Sequence, residues 1–223
     1  MYVVRGRAGD PKEDRERSQE LLELAADRSS PHLRVWRPPR HIAFGHRDSS
    51  QSGYDRAREH ALSRDIPTLE RTTGGHAVYF TGTTVSFVLA TPIDDARSGI
   101  TERYERTTEH FQRALAELGV DAVEGEPDGS FCPGTHSLSA HGKIVGLAQR
   151  VRRNVAVVAG IVLVSDHEEI ADVLGPIYDA LDIPFESDAT GSLARAGGVS
   201  DPKKVVAAIE EEFAEGDLTV EEL

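Results

Sequence analysis

The segment CPGTHSLSAHGKIVGLAQR, at residues 132–150, decides how the fold of this chain is interpreted. It opens with the only cysteine, Cys132, which lies in an acidic loop at residues 124–135 that is rich in glycine and proline. A cysteine that acts as a small core side chain usually lies in an apolar run, and Cys132 does not, so it is a candidate reactive thiol, with a structural role as the alternative. A single cysteine also excludes an intramolecular disulfide.

The same segment contains Lys143, the only lysine between residues 13 and 202 of a chain that otherwise uses arginine. Two strands are predicted here, at residues 137–140 and 143–147, with His141 and Gly142 in the turn. Lysine presents a compact charge with three donors, which suits holding an acyl carbonyl or a phosphate. A solvated lysine in a hairpin is the alternative interpretation.

A second glycine-rich segment, RTTGGHAVYF, lies at residues 71–80. Paired glycines ahead of a strand let a ligand approach the backbone closely and leave amide N–H groups for its oxygens. A plain turn would show the same pattern, so this segment alone does not establish a binding site.

The remaining pattern predicts a single α+β domain. Apolar residues at helical spacing predict helices at residues 15–27, 52–64, 101–118, 167–174 and 176–181, the last two separated at Pro176, and a further helix from the cap Asp201 to residue 213. Strands are predicted at residues 33–37 and 41–45, as a hairpin-like pair, and at 77–81, 85–90 and 155–164.

Composition excludes several classes of protein. The net charge is −13 and no basic stripe is visible, which argues against a nucleic-acid partner. No segment reaches the ~18 apolar residues of a membrane span, and the N-terminus lacks the pattern of a signal peptide. We therefore expect a cytoplasmic protein with no membrane partner.

Together the two glycine-rich segments resemble the superfamily of lipoate–protein ligases, octanoyltransferases and biotin–protein ligases. The resemblance spans residues 15–215 and implies the catalytic-domain fold of that superfamily, a mixed β-sheet flanked by helices. Its Arg-x-x-Gly-Gly-Gly-Ala-Val motif is matched by Arg71, Gly74, Gly75, His76, Ala77 and Val78. Its Gly-Lys-x-x-Gly-x-Ala motif is matched by Gly142, Lys143, Gly146 and Ala148. The implied domain plan is a flexible segment at 1–14, a catalytic domain at 15–215 and an acidic tail at 216–223.

The Cys-Pro-Gly loop is most similar to octanoyltransferases that take octanoate from the glycine-cleavage H protein. The resemblance implies that Cys132 forms an acyl thioester, that Lys143 holds the acyl carbonyl, and that no cofactor is needed. It also implies an acyl-binding set of Arg71, Gly74, Gly75, His76, Ala77, Val78, Tyr79, Gly146 and Ala148. The implied partners are lipoyl-carrier domains, namely the H protein and acyltransferase subunits of 2-oxoacid dehydrogenases, with an acyl carrier protein as another candidate donor.

Three alternatives stay open at this point. An ATP-dependent lipoate–protein ligase would form a lipoyl-adenylate with Lys143, need ATP and magnesium, and leave Cys132 structural. Against it, Thr81 and Thr84 occupy the acidic and asparagine positions of the ligases, and His76 replaces their third glycine. A binder of acylated carriers without turnover is the second alternative. A zinc site at Cys132, His136 and His141 is the third, but this spacing matches no common zinc motif.

Arg150, Arg152 and Arg153 form a basic cluster beside the lysine motif of an acidic chain. Lipoyl domains are acidic as a class, so these arginines are predicted to line the rim of the site and to dock the carrier.

Overall fold

The computed structural model describes residues 1–71, 75–152, 154–214 and 218–222. In chain order the strands are β1 (Tyr2–Arg5), β2 (His32–Trp36), β3 (His41–Phe44), β4 (Thr68–Glu70), β5 (Val78–Phe80), β6 (Val85–Pro92), β7 (Val123–Glu124), β8 (Ser137–Ser139), β9 (Lys143–Arg152), β10 (Val155–Val162) and β11 (Thr219–Glu222). The α-helices are α1 (Pro11–Arg28), α2 (Tyr54–Leu62), α3 (Ile100–Glu117), α4 (His167–Ala180) and α5 (Pro202–Phe213).

A mixed sheet of eight strands, counted over the described residues, has the order β11-β1-β2-β6-β10-β9-β8-β7. β1 is parallel to both of its neighbours, and the other pairs are antiparallel. A second sheet has the order β4-β3-β5. The α+β prediction with a mixed sheet flanked by helices is therefore confirmed.

The expected pairing of β2 with β3 is wrong. β2 pairs with β6 in the large sheet, whereas β3 pairs with β4 and β5 in the small one. The physical reason lies in Pro38 and Pro39, which follow β2 and have no N–H to donate to a ladder. The chain leaves the large sheet at these prolines and starts the second layer at His41.

The first residues differ from the loose segment that was expected at 1–14. Val3 and Val4 are both buried because β1 lies inside the large sheet and contacts the core on each face. On the other side of β1, β11 occupies part of the expected acidic tail and pairs Tyr2 with Thr219.

Helix α4 runs through Pro176, so the predicted break there is wrong. A proline costs one backbone hydrogen bond, but the apolar face around it, including Ile170, Leu174 and Ile177, is fully buried and keeps the helix continuous. Helix α5 begins as predicted, because the Asp201 side chain accepts the N–H of Lys203.

Among the described residues, three apolar cores position the site. One face of the large sheet packs against α3 and α5, and the opposite face packs against α1. The small sheet packs with α2 and α4. Among the described residues, no helix is both long and apolar enough to cross a membrane.

Candidate active site

The loop that carries Cys132 is anchored by one carboxylate. Glu126 accepts hydrogen bonds from the backbone N–H of Gly134 at 2.7 Å, the hydroxyl of Ser137 at 2.7 Å and Nζ of Lys143 at 2.6 Å. Phe131 beside the cysteine is 1% exposed. This segment is therefore held in one conformation, although its composition is typical of a mobile loop.

The backbone of Cys132 is held from both sides. Its N–H donates to the hydroxyl of Tyr178 at 2.6 Å, and its C=O accepts from Nζ of Lys143 at 2.9 Å. The Tyr178 hydroxyl in turn donates to the carbonyl of Ala77 at 2.9 Å. Burial raises the pKa of Tyr178 well above its usual range, so the phenol keeps the proton that it donates.

Cys132 also has a φ of +41°, in the left-handed region that side-chain-bearing residues avoid. Such a conformation costs on the order of 1–3 kcal/mol and persists only where the surroundings impose it. The contacts of its peptide groups with Tyr178 and Lys143 supply that constraint.

Two donors point at the sulfur itself. The backbone N–H of His76 and Nη2 of Arg71 each lie 3.3 Å from Sγ of Cys132. Both N–H groups can hydrogen-bond to negative charge that develops on the sulfur when it reacts, and the thiolate is the nucleophilic form of a cysteine.

Lys143 is 1% exposed. Its Nζ donates to Glu126, to the carbonyl of Phe131 at 3.1 Å and to the carbonyl of Cys132. An ammonium has three N–H groups, and each has a partner here. Lys143 therefore fastens the cysteine loop to β9.

The glycines of the lysine motif make room for this arrangement. A Cβ at Gly142 would lie 2.6 Å from the backbone N of Gly191, and one at Gly146 would lie 3.2 Å from Cε of Lys143. Gly142 also has a φ of +112°. Because these two positions are glycine, the start of β9 can lie against the backbone of residues 190–191, and the side chain of Lys143 can pack against Gly146.

Beside Cys132 lies a cavity of about 750 Å³ between α1, the large sheet and the small sheet. Its floor consists mainly of small or aliphatic side chains, in the cross-strand pairs Gly146–Ile161 and Ala148–Ala159. Cavities of this size and character hold small apolar ligands. The shape and lining of this cavity suit a flexible aliphatic chain attached at Cys132.

The family description "Lipoyl protein ligase A/B catalytic domain" matches residues 10–214. The chain belongs to this lipoyl protein ligase A/B family. The resemblance inferred from the sequence motifs is thereby confirmed.

Relatives within the family carry octanoyltransferase names. The octanoyl-(GcvH):protein N-octanoyltransferase of Exiguobacterium sp. is 29% identical over 149 residues, which are 66% of this chain and 53% of that protein. The protein of the same name from Kyrpidia tusciae is 29% identical over 208 residues, which cover 86% of this chain and 71% of that protein. Octanoyltransferase LipM of Kyrpidia tusciae is 29% identical over an alignment of 223 residues, which covers 86% of this chain and 80% of that protein. The match thus spans about half of the first of these relatives.

Solved structures of lipoate–protein ligases share the fold. A crystal structure of lipoate-protein ligase A bound with ATP has a TM-score of 0.74 at 19% identity and covers 100% of this chain and 88% of that one. Protein Ta0514 of T. acidophilum, a putative lipoate protein ligase by its description, has a TM-score of 0.72 at 18% identity, with the same coverage. At these identities the likeness shows the fold alone.

The structure brings most of the predicted family residues together. Cys132, Lys143, Arg71, Gly75, Val78, Gly146 and Ala148 all line the cavity. The side chains of Ala77 and Tyr79 do not, because alternate residues of a strand face opposite sides, and these two pack into the core of the small sheet. That the backbone of residues 74–79 lines an acyl tunnel stays a prediction. Gly74 lies outside the described residues.

His76 contributes its backbone rather than its ring. The ring nitrogen Nδ1 lies 2.7 Å from Oδ1 of Asp48, a fully buried residue whose Oδ2 accepts the N–H of Gly45 at 2.8 Å. The side chain of His76 is thus held by Asp48, whereas its backbone N–H contacts the sulfur.

Sequence reasoning missed Glu126, Tyr178 and Asp48. Glu126 was visible only as one acid of an acidic loop, and nothing in the sequence links Tyr178 or Asp48 to Cys132. Their roles depend on tertiary contacts, which a residue pattern does not encode.

The three residues of the zinc alternative have separate environments. His136 stacks on Tyr104 with 3.6 Å between ring centroids, and His141 is exposed in the turn before β9. The described part of the chain contains no group of three His, Cys, Asp or Glu side chains arranged to hold a metal ion.

Thr81 and Thr84 do not fit a metal-bound nucleotide. Both are buried, and their hydroxyls are bonded within the turn, Thr81 with Thr83 and Thr84 to the carbonyl of Thr81. Neither offers a charged oxygen to magnesium.

Proposed function

We propose that this protein transfers an octanoyl or lipoyl group to a lysine of a lipoyl-carrier domain through a thioester on Cys132. The observation that carries the proposal is a strained, partly exposed cysteine with two donors on its sulfur at the wall of an apolar cavity. A covalent intermediate divides a difficult exchange between two acyl carriers into two easier steps.

The cavity provides selectivity for the acyl chain. Burying each methylene contributes about 0.8 kcal/mol, so an eight-carbon chain gains several kcal/mol over a short one. Attack by a lysine amine of the carrier on the thioester then releases Cys132 for another cycle. No cofactor other than the covalent acyl group is required.

Lipoyl-carrier domains are the proposed partners, with the H protein as one of them. The relatives named for GcvH support this assignment. An acyl carrier protein is a candidate donor on chemical grounds alone, and a cytoplasmic location remains a prediction.

The test is the intact mass of the protein after incubation with each candidate donor. Octanoylated H protein or octanoyl-acyl carrier protein should add one octanoyl group, and neutral hydroxylamine should remove it because the bond is a thioester. Acylation of a carrier domain that requires free octanoate, ATP and magnesium, with no adduct on this protein, would instead assign the protein as a ligase.

A Gly75→Ala substitution should slow thioester formation by about 100-fold, the order of loss that a displacement of about 1 Å produces. A Cβ at Gly75 would lie 2.6 Å from Sγ of Cys132, and the φ of +88° is unfavourable for alanine. The rate of octanoyl adduct formation measures the effect. Gly82→Ala is the matched control, because a Cβ at Gly82 meets no atom within 4 Å. Equal rates of adduct formation in the two variants would mean that Sγ of Cys132 can be displaced without slowing thioester formation.

Two of the three arginines that are predicted to dock the carrier line the cavity. Arg150 and Arg152 line the cavity, and Arg153 lies outside the described residues. Arg152→Glu should raise KM for an acidic carrier domain on the order of fivefold at low salt, and less at 1 M salt, where the Debye length falls to ~3 Å. Self-acylation from a small thioester should not change.

The control for this variant is Lys204→Glu, which makes the same charge change on α5 at the opposite face of the sheet. An equal rise in KM for both variants would show a general charge effect and no docking at Arg152. A fall in self-acylation of Arg152→Glu would show that this arginine supports the acyl site.

A further inference from the structure

Arg71 and the N–H of His76 contact Sγ of Cys132, whereas Lys143 does not. We propose that Arg71 is a catalytic residue of this acyl transfer: its guanidinium, together with the His76 N–H, stabilises the Cys132 thiolate and then the tetrahedral oxyanion. This inference rests on the proposed function and assigns to Arg71 a role that the motif resemblance gave to Lys143.

Lys143 is poorly placed to hold an oxyanion because each of its N–H groups already has a partner. Turning Nζ toward an acyl oxygen would break at least one of these contacts. The contact with Glu126 is a largely enclosed ion pair, with side chains 2% and 14% exposed. Leaving that carboxylate without its cation is strongly unfavourable.

Arg71 has charge to offer at the sulfur. Its backbone N–H bonds the carbonyl of Phe44, and its Nη2 also bonds the carbonyl of His76, which fixes the guanidinium against the small sheet. Within residues 1–71, 75–152, 154–214 and 218–222, no carboxylate pairs with Arg71, and its buried Nε has no hydrogen-bond partner. Arginine stays protonated, so it acts here as a donor and not as a base.

The second donor is equally fixed. Asp48 holds the ring of His76 and is itself held by Gly45, so the backbone N–H of His76 keeps its direction toward the sulfur. Between the two donors lies Gly75, where a Cβ would be 2.6 Å from Sγ and 3.1 Å from Nη2 of Arg71. The missing side chain leaves space for an oxygen on the carbon that bonds to Sγ.

The acyl group moves to Cys132 through a tetrahedral intermediate. Cys132 loses its proton to solvent, and the thiolate forms a bond to the acyl carbon while the carbonyl π pair moves to oxygen. Arg71 and the His76 N–H hold that oxyanion. Collapse re-forms the C=O and breaks the bond to the donor amine or thiol, which takes up one proton from solvent.

Other ionisable groups also surround Cys132. Tyr178 reaches it from α4, Lys143 with Glu126 from β9 and the loop, and His76 with Asp48 from the side of the small sheet. All of these groups remain unchanged in variants of Arg71, so differences between those variants and the wild type report on the guanidinium.

The experiment compares two reactions of the same thiol at one pH. Iodoacetamide alkylates the thiolate without forming an oxyanion, whereas octanoyl-N-acetylcysteamine acylates it through one. Arg71→Gln should slow alkylation several-fold and acylation by about 100-fold, the usual order for loss of one oxyanion donor. Arg71→Lys should recover part of both rates. Arg56→Gln, which removes an arginine bonded to the carbonyl of Ala180 away from the cavity, should leave both rates near wild type.

The ratio of the two rates decides the outcome. If Arg71→Gln lowers acylation and alkylation by the same factor, the oxyanion role is overturned and only thiolate stabilisation remains. If neither rate changes, Arg71 has no catalytic role. If wild-type protein is alkylated but no donor acylates it, the proposed function itself fails, and the oxyanion role fails with it. Thermal unfolding of each variant separates these results from loss of the fold.

Discussion

A Cys132→Ala variant is expected to form no acyl adduct and to transfer no octanoyl group to a carrier domain. The thiol is the only nucleophile of its kind in the chain, and its surroundings hold it in place through both of its peptide groups. Removing the nucleophile of a covalent mechanism lowers the rate by about 10⁴-fold or more. Intact mass after incubation with octanoyl donor, together with transfer to an H protein, measures the effect.

Cys132→Ser is the companion variant, since it keeps a polar atom near Arg71 and His76 but offers a much weaker nucleophile. Both variants should unfold near the wild-type temperature, because the cysteine is only partly buried. Full activity of Cys132→Ala that depends on ATP would contradict the transferase proposal and assign the cysteine a structural role.

Lys143→Ala is expected to lose both acyl transfer and stability. The substitution leaves Glu126 enclosed without its cation, which costs about 3–5 kcal/mol out of a total stability of about 5–15 kcal/mol. Lys143→Arg should retain little activity, because the planar guanidinium is larger and Gly146 already lies close to the lysine stem. Thermal unfolding and the rate of self-acylation are measured in parallel.

A double variant, Lys143→Met with Glu126→Gln, separates the two losses. It removes the enclosed charge pair, so stability should largely return, while self-acylation should stay low because the cysteine loop is no longer fastened to β9. Restored activity in the double variant would show that Lys143 only compensates Glu126. Near-normal turnover of Lys143→Arg would show that the position supplies only charge.

The sequence was sufficient for the family and the fold because both depend on local patterns. Each glycine motif is a continuous stretch of sequence, and each contains a glycine that allows a close contact in or beside the site, Gly75 against Cys132 and Gly142 against Gly191. Cys132 and Lys143 lie close together because Cys132 precedes β8 and Lys143 begins β9, the second strand of the same hairpin.

Other features depended on contacts between distant segments. The Asp48–His76 pair joins two loops on either side of α2, and Tyr178 reaches Cys132 from a helix that follows it in the chain. The helix break predicted at Pro176 is wrong for a similar reason. Burial of the apolar face of α4 stabilises the helix by more than the proline destabilises it.

The pairing of β1 with β11 has a consequence for how the molecule assembles and opens. It joins the most distant parts of the sequence, so its loop-closure entropy is large and it is expected to form late in folding. β11 is an edge strand with exposed Val220, whereas β9 and β10 have neighbours on both sides. Amide hydrogens should therefore exchange first at the β11 edge and last at the strands beside Lys143. The edge strand β11 can separate from the sheet at little cost while the strands that hold the cysteine loop stay closed.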